Sequence, residues 1–304
     1  KEIANTIKNI NDSIIIIVGG PMANTIPELL ISKTLIDFVV KGEGELTIIN
    51  LLNAIEDKNG FNQVKGIYFR DNFNNVVFTG EQTRIDNLDD YPFPFYDAFP
   101  IKPYVEYLKK TDRCWELSTS RGCYASCNFC KLTFGEKITS YSYRVVVDHM
   151  VYVSGKYGIN HFSFVNDNFL NNPKGINDFV TILQEQPHEF KWRFQGRADR
   201  ITPELVEKAV AVGLFDISFG IESGSQEMID RYGKGLDIEK VFHNLSLIKN
   251  MVGIHATFIV GGPGEDWDTI KKTKQFIEKL KLRNAGIGIL TLFPGTTFYK
   301  AALE

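Results

Sequence analysis

The second half of the sequence alternates short apolar runs with longer runs of helical period, and this alternation constrains the fold more than any other feature. A series of βα units predicts a parallel sheet, because right-handed crossover connections return every strand in the same direction. Such a series curves into an open or closed barrel and carries functional side chains after the carboxyl ends of its strands. The six strand candidates begin at Trp115, His161, Lys191, Phe215, His255 and Gly286.

Several of the intervening helices are bounded by residues that favour helix ends. Thr202 followed by Pro203 is the pair expected at a helix start, and Gly213 is expected to stop that helix. Asp237 and Gly253 are predicted to bracket the next helix. These signals separate the helices from the strand candidates.

The first part of the chain has a different pattern. Ser13–Gly20 is a β-branched run ending in glycines, and it predicts a strand buried on both faces. Because this run comes so early, we expect the N-terminus to be truncated. Val64–Arg70 and Val76–Thr79 are separated by Asp71–Asn75, which suits a hairpin turn. Asp86–Pro100 is rich in proline and aromatic residues and is interpreted as an ordered linker.

The charge balance argues against several classes of function. The chain has 34 basic and 37 acidic side chains, a net charge of −3 and a pI near 6.0. No broad basic surface is therefore expected to attract nucleic acid or an anionic membrane. Runs of about 18 apolar residues do not occur in the sequence, and the first residues lack the pattern of a secretory signal. We expect a cytoplasmic protein with no membrane span and no nucleic-acid partner.

Three of the four cysteines, Cys123, Cys127 and Cys130, lie within eight residues, in a loop expected at the carboxyl end of the first barrel strand. Crowded thiols in such a place indicate a metal rather than disulfides. Structural zinc sites and ordinary electron-transfer clusters take four protein ligands, whereas three ligands leave one position open for substrate. The loop therefore predicts a metal centre that binds a further molecule.

Cys114 is the fourth cysteine, and extended residues between it and the loop would span about 20 Å. We therefore expect it near the other end of the barrel, as a small buried hydrophobe. A closed zinc site would need a histidine instead, and His149 and His161 are the candidates for this alternative.

The spacing C-x3-C-x2-C, with Phe129 just before the last cysteine, resembles the signature of the radical S-adenosylmethionine (SAM) enzymes, and the resemblance covers residues 114–300. It implies an α/β fold with a partial (βα)6 TIM-like barrel. It also implies that the three thiolates hold a [4Fe–4S] cluster whose fourth iron binds the amino and carboxylate groups of SAM. Phe129 would lie beside the adenine, and a flavodoxin or ferredoxin type of protein would supply electrons.

Other strand ends resemble segments that hold SAM in this family. Asn166 and Asp167 stand where relatives carry a paired acid for the SAM ammonium. Arg197 resembles the arginine that binds the SAM carboxylate, a group that guanidinium binds in bidentate fashion. Glu222 resembles the glutamate that contacts the ribose or the amino group. An acid in so apolar a strand is costly to bury without a partner.

Two of these assignments have structural alternatives. The segment Asn166–Asn168 has the composition of a turn that caps a helix. Arg197 has Asp199 and Asp216 as possible ion-pair partners.

The segment Phe258–Glu265 resembles the adenine-side segment of the family and makes Val260 and Gly262 candidate SAM contacts. A glycine-rich turn before a helix starting near Trp267 is the alternative explanation.

The N-terminal residues resemble the second half of a Rossmann-like cobalamin-binding domain, which precedes the barrel in one subgroup of the family. A plain flavodoxin-like helper domain is the alternative, and residues 1–60 contain no histidine that could ligate cobalt. The predicted domains are 1–62, 63–112 and 113–304. The candidate cobalamin contacts are Gly19, Gly20, Pro21, Gly42, Glu43 and Gly44.

The resemblance implies reductive cleavage of SAM to a 5′-deoxyadenosyl radical. In the cobalamin subgroup it further implies methyl transfer to an unactivated carbon, or cyclisation, of a small-molecule or peptide substrate. A radical SAM enzyme without cobalamin and a non-catalytic zinc-binding module are the alternatives.

Overall fold

The computed structural model describes residues 1–172, 175–282 and 284–304. They form two compact units. One comprises Lys1–Asp86 and Phe293–Glu304, and the other comprises Asn87–Leu292. The domain limits expected from the sequence, at residues 62 and 112, stay a prediction.

A four-stranded sheet lies at the centre of the first unit. In the order in which they pair, its strands are β1 (Ile17–Val18), β2 (Phe38–Val40), β3 (Ile67–Arg70) and β4 (Val76–Phe78). β1 and β2 are parallel, and the remaining pairs are antiparallel. The predicted hairpin is confirmed, and the Asp71 carboxylate accepts hydrogen bonds from the amides of Phe73 and Asn75 in its turn. The helices of this part are α1 (Glu2–Ile10), α2 (Pro21–Thr25), α3 (Pro27–Lys33) and α4 (Gly44–Glu56).

The strand predicted over Ser13–Gly20 is wrong in extent and in burial. Only Ile17–Val18 pair with β2, while Ile14 and Ile15 are 42% and 45% exposed. The reason is that β1 lies at the edge of the described sheet, where it has β2 on one side. A β-branched run at this position is therefore covered by a neighbouring strand on one side only.

The second unit contains the predicted parallel sheet. Its order is β12-β11-β10-β9-β8-β5, with all neighbours parallel, so all six strand candidates are confirmed. β6 and β7 form a separate antiparallel ribbon. The strands are β5 (Trp115–Leu117), β6 (Ser120–Arg121), β7 (Thr139–Ser140), β8 (His161–Phe164), β9 (Lys191–Gly196), β10 (Leu214–Glu222), β11 (Gly253–Val260) and β12 (Asn284–Ile289).

One helix precedes the first strand of this sheet, and the helices that follow connect its consecutive strands. None of those described is long and apolar enough to cross a bilayer. They are α5 (Ile101–Thr111), α6 (Tyr143–Tyr157), α7 (Gly175–Gln184), α8 (Pro203–Val210), α9 (Gln226–Arg231), α10 (Ile238–Ile248) and α11 (Trp267–Leu280), and a further helix, α12 (Thr297–Ala301), belongs to the first unit.

The predicted helix starts are confirmed, and one predicted helix end is wrong. Pro203 opens α8, and the Thr202 side chain accepts a hydrogen bond from a backbone amide of the first turn. Asp237 caps α10 in the same way. Gly253 does not end α10, which stops at Ile248; it is instead the first residue of β11. A Cβ at Gly253 would lie 2.9 Å from the Asp216 Oδ2 atom, so glycine serves strand packing at this position.

Residues alternate along the strands between the helix side and the opposite face of the sheet. In β9, Trp192 and Phe194 are buried, while Arg193 and Gln195 are exposed. The buried set forms one core with side chains from the helices, such as Phe179 of α7. Full burial of one such side chain stabilises a fold by about 1.5–3 kcal/mol. The opposite face, which is concave in a partial barrel, carries polar side chains such as Arg193 and Gln195.

His149 of α6 lies under the aromatic residues that precede α5. Its ring stacks on Phe93 at a centroid distance of 4.1 Å, and its Nε2 atom lies 3.0 Å from the Tyr96 hydroxyl. Burial lowers the pKa of His149 to about 4 from an ordinary value of 6.5. The folded state therefore prefers the neutral ring.

This histidine predicts a loss of stability in mild acid. Above pH 6.5 both states hold a neutral ring, and the contribution of His149 to stability is complete. Between pH 6.5 and 4 the unfolded chain binds the proton first, so the free energy of unfolding falls, by roughly 1–3 kcal/mol in total. Urea unfolding at several pH values should show this fall, as a slope of the free energy of unfolding against pH, in the parent and not in His149→Phe. The exposed His243, changed to Gln, is the control and should keep the slope; a slope that persists in His149→Phe would contradict the assignment.

Candidate active site

The cysteine loop is anchored at its base by the β6–β7 ribbon. Ser120 pairs with Ser140 and Arg121 with Thr139, so residues 122–138 leave and return at one place. Gly122 opens the loop with φ +87°, and a Cβ there would lie 2.3 Å from the Lys137 carbonyl oxygen. A residue with a side chain could not take this path.

The three thiols differ in exposure. Cys123 is buried, Cys127 is half-buried and Cys130 is exposed at the surface of the loop. Desolvation of the thiol raises the pKa of Cys127, and desolvation together with the neighbouring thiols and Asp167 raises the pKa of Cys130 to about 11, although part of that residue is exposed. Both are therefore neutral thiols until a metal displaces the proton. Cys114 precedes β5, is half-buried and lies outside the loop.

This donor set fits an iron–sulfur cluster. No three His, Cys, Asp or Glu side chains of the described residues converge closely enough to hold a single metal ion. The three thiolates of the loop would hold an iron–sulfur cluster through their sulfur atoms, the ligand type that such clusters take in proteins. Thiolates are soft ligands suited to such clusters.

Asn166 ties the ends of two strands together. Its buried Nδ2 group donates to the hydroxyls of Thr119 and Ser120 at 2.7 and 2.6 Å. Its Oδ1 atom accepts from the Thr119 amide at 3.1 Å. The amide group is thus committed to positioning the segment that leads into the cysteine loop.

We expect Asn166→Leu to destabilise the protein by about 3 kcal/mol. The change removes three hydrogen bonds and leaves the Thr119 amide buried without an acceptor. The exposed Asn250, changed to Leu, should have little effect. Chemical denaturation checks both variants, and an Asn166→Leu variant as stable as the parent would contradict this role.

Asp167 contacts the cysteine loop directly. Its Oδ2 atom accepts a hydrogen bond from the Gly122 amide at 3.1 Å. Asn171 donates to the Gly122 carbonyl at 3.0 Å. Asn168 accepts from the amides of Leu170 and Arg197, so the alternative of a capping turn describes this residue well. Neighbouring residues of one segment therefore hold the start of the loop.

Arg197 is buried and paired within the chain. Its guanidinium contacts both carboxylate oxygens of Asp199, at 3.1 and 3.3 Å, as the ion-pair alternative expected. Its Cζ atom also lies 5.6 Å from the ring centroid of Tyr124, a residue of the cysteine loop. A carboxylate ligand would share or replace Asp199 at this guanidinium.

Glu222 ends β10 in an unusual conformation. Its φ is +68°, and the register of β10 against β11 shifts between Gly220 and Glu222. The Glu222 Oε1 atom lies 2.5 Å from Nζ of Lys234, and each side chain is only 9% exposed. A Cβ at Gly220 would come within 2.5 Å of that carboxylate oxygen and 3.0 Å of Nζ, so glycine makes room for the pair.

Lys234 belongs to a turn, Arg231–Lys234, that the sequence did not single out. The Asn128 amide donates to the Tyr232 carbonyl at 2.8 Å, and the Asn128 side chain donates to the Arg231 carbonyl at 2.9 Å. The Phe129 ring meets the edge of Tyr232 at 5.6 Å, and Lys234 Nζ lies 5.9 Å from the Phe129 centroid. The turn therefore holds the middle of the cysteine loop.

The same turn packs on the loop after β11. A Cβ at Gly262 would lie 2.4 Å from the Tyr232 hydroxyl, and a Cβ at Gly264 would lie 2.4 Å from Arg231. The Val260 carbonyl is already bonded to the Leu290 amide. The Arg231–Lys234 turn thus contacts three of the candidate residues, which are Phe129, Glu222 and Gly262. The sequence feature that could have indicated this turn is a lysine between two glycines, shortly after the buried Glu222.

The concave face of the sheet carries polar side chains in register. Ser163, Arg193 and Asp216 are cross-strand neighbours, and Arg193 donates to the Ser163 hydroxyl at 3.1 Å. Burial raises the pKa of Asp216. With neighbouring residues they line a cavity of about 360 Å³, which includes Glu116, Gln195, Ser218 and His255.

The candidate cobalamin residues lie in the first unit. Gly20 and Gly42 have φ near +90°, and the Gly42 amide donates to the Asn24 side chain at 2.6 Å. Glu43 is buried, and its carboxylate accepts from the Ile85 amide at 2.6 Å. These two groups are thus occupied within the unit. The others are Gly19, Pro21, which opens α2, and Gly44, which opens α4.

A family description matches the part of the chain that carries this site. The radical SAM superfamily model aligns with residues 117–277, more than half of the chain. The chain belongs to the radical SAM superfamily. The matched residues run from the end of β5, through the cysteine loop and the Glu222–Lys234 pair, into α11.

Named relatives extend the similarity beyond this core. An uncharacterized methyltransferase of Pyrococcus horikoshii is 30% identical over 99% of this chain and 66% of its own length. Cytidylyl-2-hydroxyethylphosphonate methyltransferase of Streptomyces wedmorensis is 26% identical over 88% of the chain and 57% of its own. Anaerobic magnesium-protoporphyrin IX monomethyl ester cyclase of Rubrivivax gelatinosus is 26% identical over 88% and 49%. This radical SAM chain therefore spans about half to two thirds of these relatives.

Two solved structures show the same fold. The cobalamin-dependent radical enzyme OxsB, with aqua-cobalamin and SAM bound, superposes with a TM-score of 0.77 at 23% identity, over all of this chain and 44% of its own. The methyltransferase TsrM from Kitasatospora setae, with tryptophan and a SAM analogue bound, has a TM-score of 0.81 at 18% identity, over 97% and 59%. The architecture predicted from the sequence, a partial TIM-like barrel core in an α/β protein, is confirmed.

Proposed function

We propose that this radical SAM chain cleaves SAM reductively at a [4Fe–4S] cluster held by Cys123, Cys127 and Cys130. The observation that carries the proposal is a loop with three thiols, and no fourth, at the carboxyl end of a barrel strand. When bound, the cluster supplies one electron that splits the C5′–S bond of SAM into methionine and a 5′-deoxyadenosyl radical. A flavodoxin or ferredoxin type of protein, in the reducing cytoplasm, would provide that electron.

The residues of this chain would hold SAM from several sides. Asp167 fixes the Gly122 amide at the start of the loop, and Arg197 offers a guanidinium to the SAM carboxylate. Glu222 offers a carboxylate oxygen to the ribose or ammonium. Phe129 would flank the adenine, and Val260 and Gly262 would border it. Holding the reacting atoms in one geometry raises the rate of such a step.

We further propose methyl transfer to, or cyclisation of, a carbon of a small-molecule or peptide substrate, with cobalamin as second cofactor. Relatives that are named methyltransferases, and the fold shared with two cobalamin-dependent enzymes, support this. When bound, cobalamin supplies the methyl group. The turns at Gly19–Pro21 and Gly42–Gly44 are the proposed contacts. The polar wall around Arg193 and Asp216 would face the substrate.

Anaerobic reconstitution with iron and sulfide tests the first proposal. We expect about four irons per chain, an electron paramagnetic resonance signal on reduction that changes when SAM is added, and 5′-deoxyadenosine in the product mixture. About one zinc and no iron, or reduction without SAM cleavage, would reject it.

Gel filtration with hydroxocobalamin tests the second proposal, because the corrin absorbs visibly. We expect the corrin to co-elute with the protein. A protein that cleaves SAM but elutes colourless would support a radical SAM enzyme that works without cobalamin.

A further inference from the structure

The Glu222–Lys234 pair combines three features that destabilise a fold. Both charges are buried, with side chains 9% exposed, and burying an ion pair commonly costs as much as the attraction returns. The Glu222 backbone adopts φ +68°, a region unfavourable for a residue with a side chain. Position 220 must also lack a side chain, because a Cβ would collide with both charged groups. Stability alone does not explain such an arrangement, and strain of this kind concentrates where ligands are held.

The pair leaves one carboxylate oxygen available. Lys234 contacts Oε1 of Glu222, and within the described parts of the chain Oε2 makes no hydrogen bond. The Lys234 ammonium on one oxygen fixes the orientation of the carboxylate. The second oxygen can then accept a hydrogen bond from a hydroxyl or an ammonium group of a ligand.

Lys234 also connects this carboxylate to the cysteine loop. Its Nζ atom lies 5.9 Å from the centroid of Phe129, the residue before Cys130. Two residues before Lys234, the Tyr232 carbonyl accepts a hydrogen bond from the Asn128 amide of the loop at 2.8 Å. A change at Lys234 would therefore act on the carboxylate and on the loop together.

We propose that Lys234 is a positioning residue of the SAM site, which orients Glu222 toward the ribose or ammonium of SAM and holds Phe129 beside the adenine. The inference rests on the proposed function, since it concerns the same site. It adds a residue that the sequence did not indicate. It also gives a role to the Glu222–Lys234 ion pair, whose lysine lies beside the Phe129 ring of the cysteine loop.

Calorimetric titration of SAM into the reconstituted, oxidised protein tests this role, because no cleavage occurs without an electron. We expect Lys234→Met to weaken SAM binding by at least about tenfold, the loss expected when a charge-assisted hydrogen bond is disrupted. Lys234→Arg should recover a large part of that loss. The exposed Lys240 of α10, changed to Met, is the matched control and should bind SAM like the parent.

A second variant separates positioning from folding. Lys234→Met leaves Glu222 buried without a partner and is expected to unfold more easily. Glu222→Gln with Lys234→Met removes both charges, so we expect it to fold and still bind SAM at least about tenfold more weakly. If the double variant folds and binds SAM like the parent, the pair is structural and the inference is overturned.

The experiments distinguish an error in the proposed function from an error in this inference. If the parent protein forms no cluster or does not cleave SAM, the function is wrong whatever Lys234 does. If the parent cleaves SAM and the Lys234 variants bind it normally, only the inference is wrong.

Discussion

Replacing Cys123, Cys127 or Cys130 by alanine is expected to reduce 5′-deoxyadenosine formation by more than about a hundredfold. Changes to residues that merely orient metal ligands already reach losses of 10–100-fold, and loss of a ligand removes the iron attachment itself. Each thiol sits on a loop whose path is fixed by Gly122 and the β6–β7 ribbon, so a neighbouring residue cannot take its place. The measurement is anaerobic chromatography of products after reduction, together with iron content per chain.

Cys114→Ala is the matched control for these variants. Cys114 is a half-buried thiol that precedes β5 and lies outside the loop. We expect its replacement to leave iron content and SAM cleavage unchanged. Sustained cleavage in any of the three loop variants, or loss of iron in the Cys114 variant, would show that the cluster is held differently.

Gly213→Ala is expected to lower the free energy of unfolding by roughly 4 kcal/mol or more. Gly213 has φ +92°, and a Cβ there would lie 1.8 Å from the Phe190 carbonyl oxygen. The backbone cannot yield easily, because the Gly213 carbonyl accepts from the Trp192 amide at 2.9 Å. The Trp192 indole also donates to the Val212 carbonyl at 3.0 Å.

Gly155→Ala provides the contrasting control. Gly155 lies inside α6, and a Cβ there would have open space around it. Alanine favours helix over glycine by up to about 1 kcal/mol, so this variant should be slightly more stable than the parent. Urea denaturation of both variants decides the point, and effects of the same sign would contradict the packing argument.

The fold of the second unit follows closely from local sequence signals. Each strand candidate combines apolar residues with short length, and Thr202 and Asp237 supply the capping oxygens that helix starts require. These signals act within a few residues, so the sequence displays them directly. The extent and burial of the strand before Gly20 were predicted wrongly, because β-branched composition indicates a strand but does not indicate how many neighbouring strands it has.

The candidate site was predictable only in part. The cysteine spacing is local and indicated the loop, and the resemblance of the strand ends to family segments made Asp167, Arg197 and Glu222 candidates, which stay a prediction. Asn128 was missed because its contacts join segments about a hundred residues apart. Lys234 was missed although it lies 12 residues from Glu222, because only the folded structure shows that the two side chains meet. Asn166 shows the converse limit, since its position fits a ligand contact while its side chain is bonded to Thr119 and Ser120.

The left-handed backbone at Glu222 places a restriction on engineering this protein for heat resistance. Glycine and asparagine occupy that region far more readily than glutamate, by about 1–2 kcal/mol for glycine. A design procedure that rewards thermal endurance alone would favour glycine there and an apolar side chain in place of Lys234. Such a redesigned barrel would withstand heating better than its parent and would have lost the carboxylate that we propose to bind SAM.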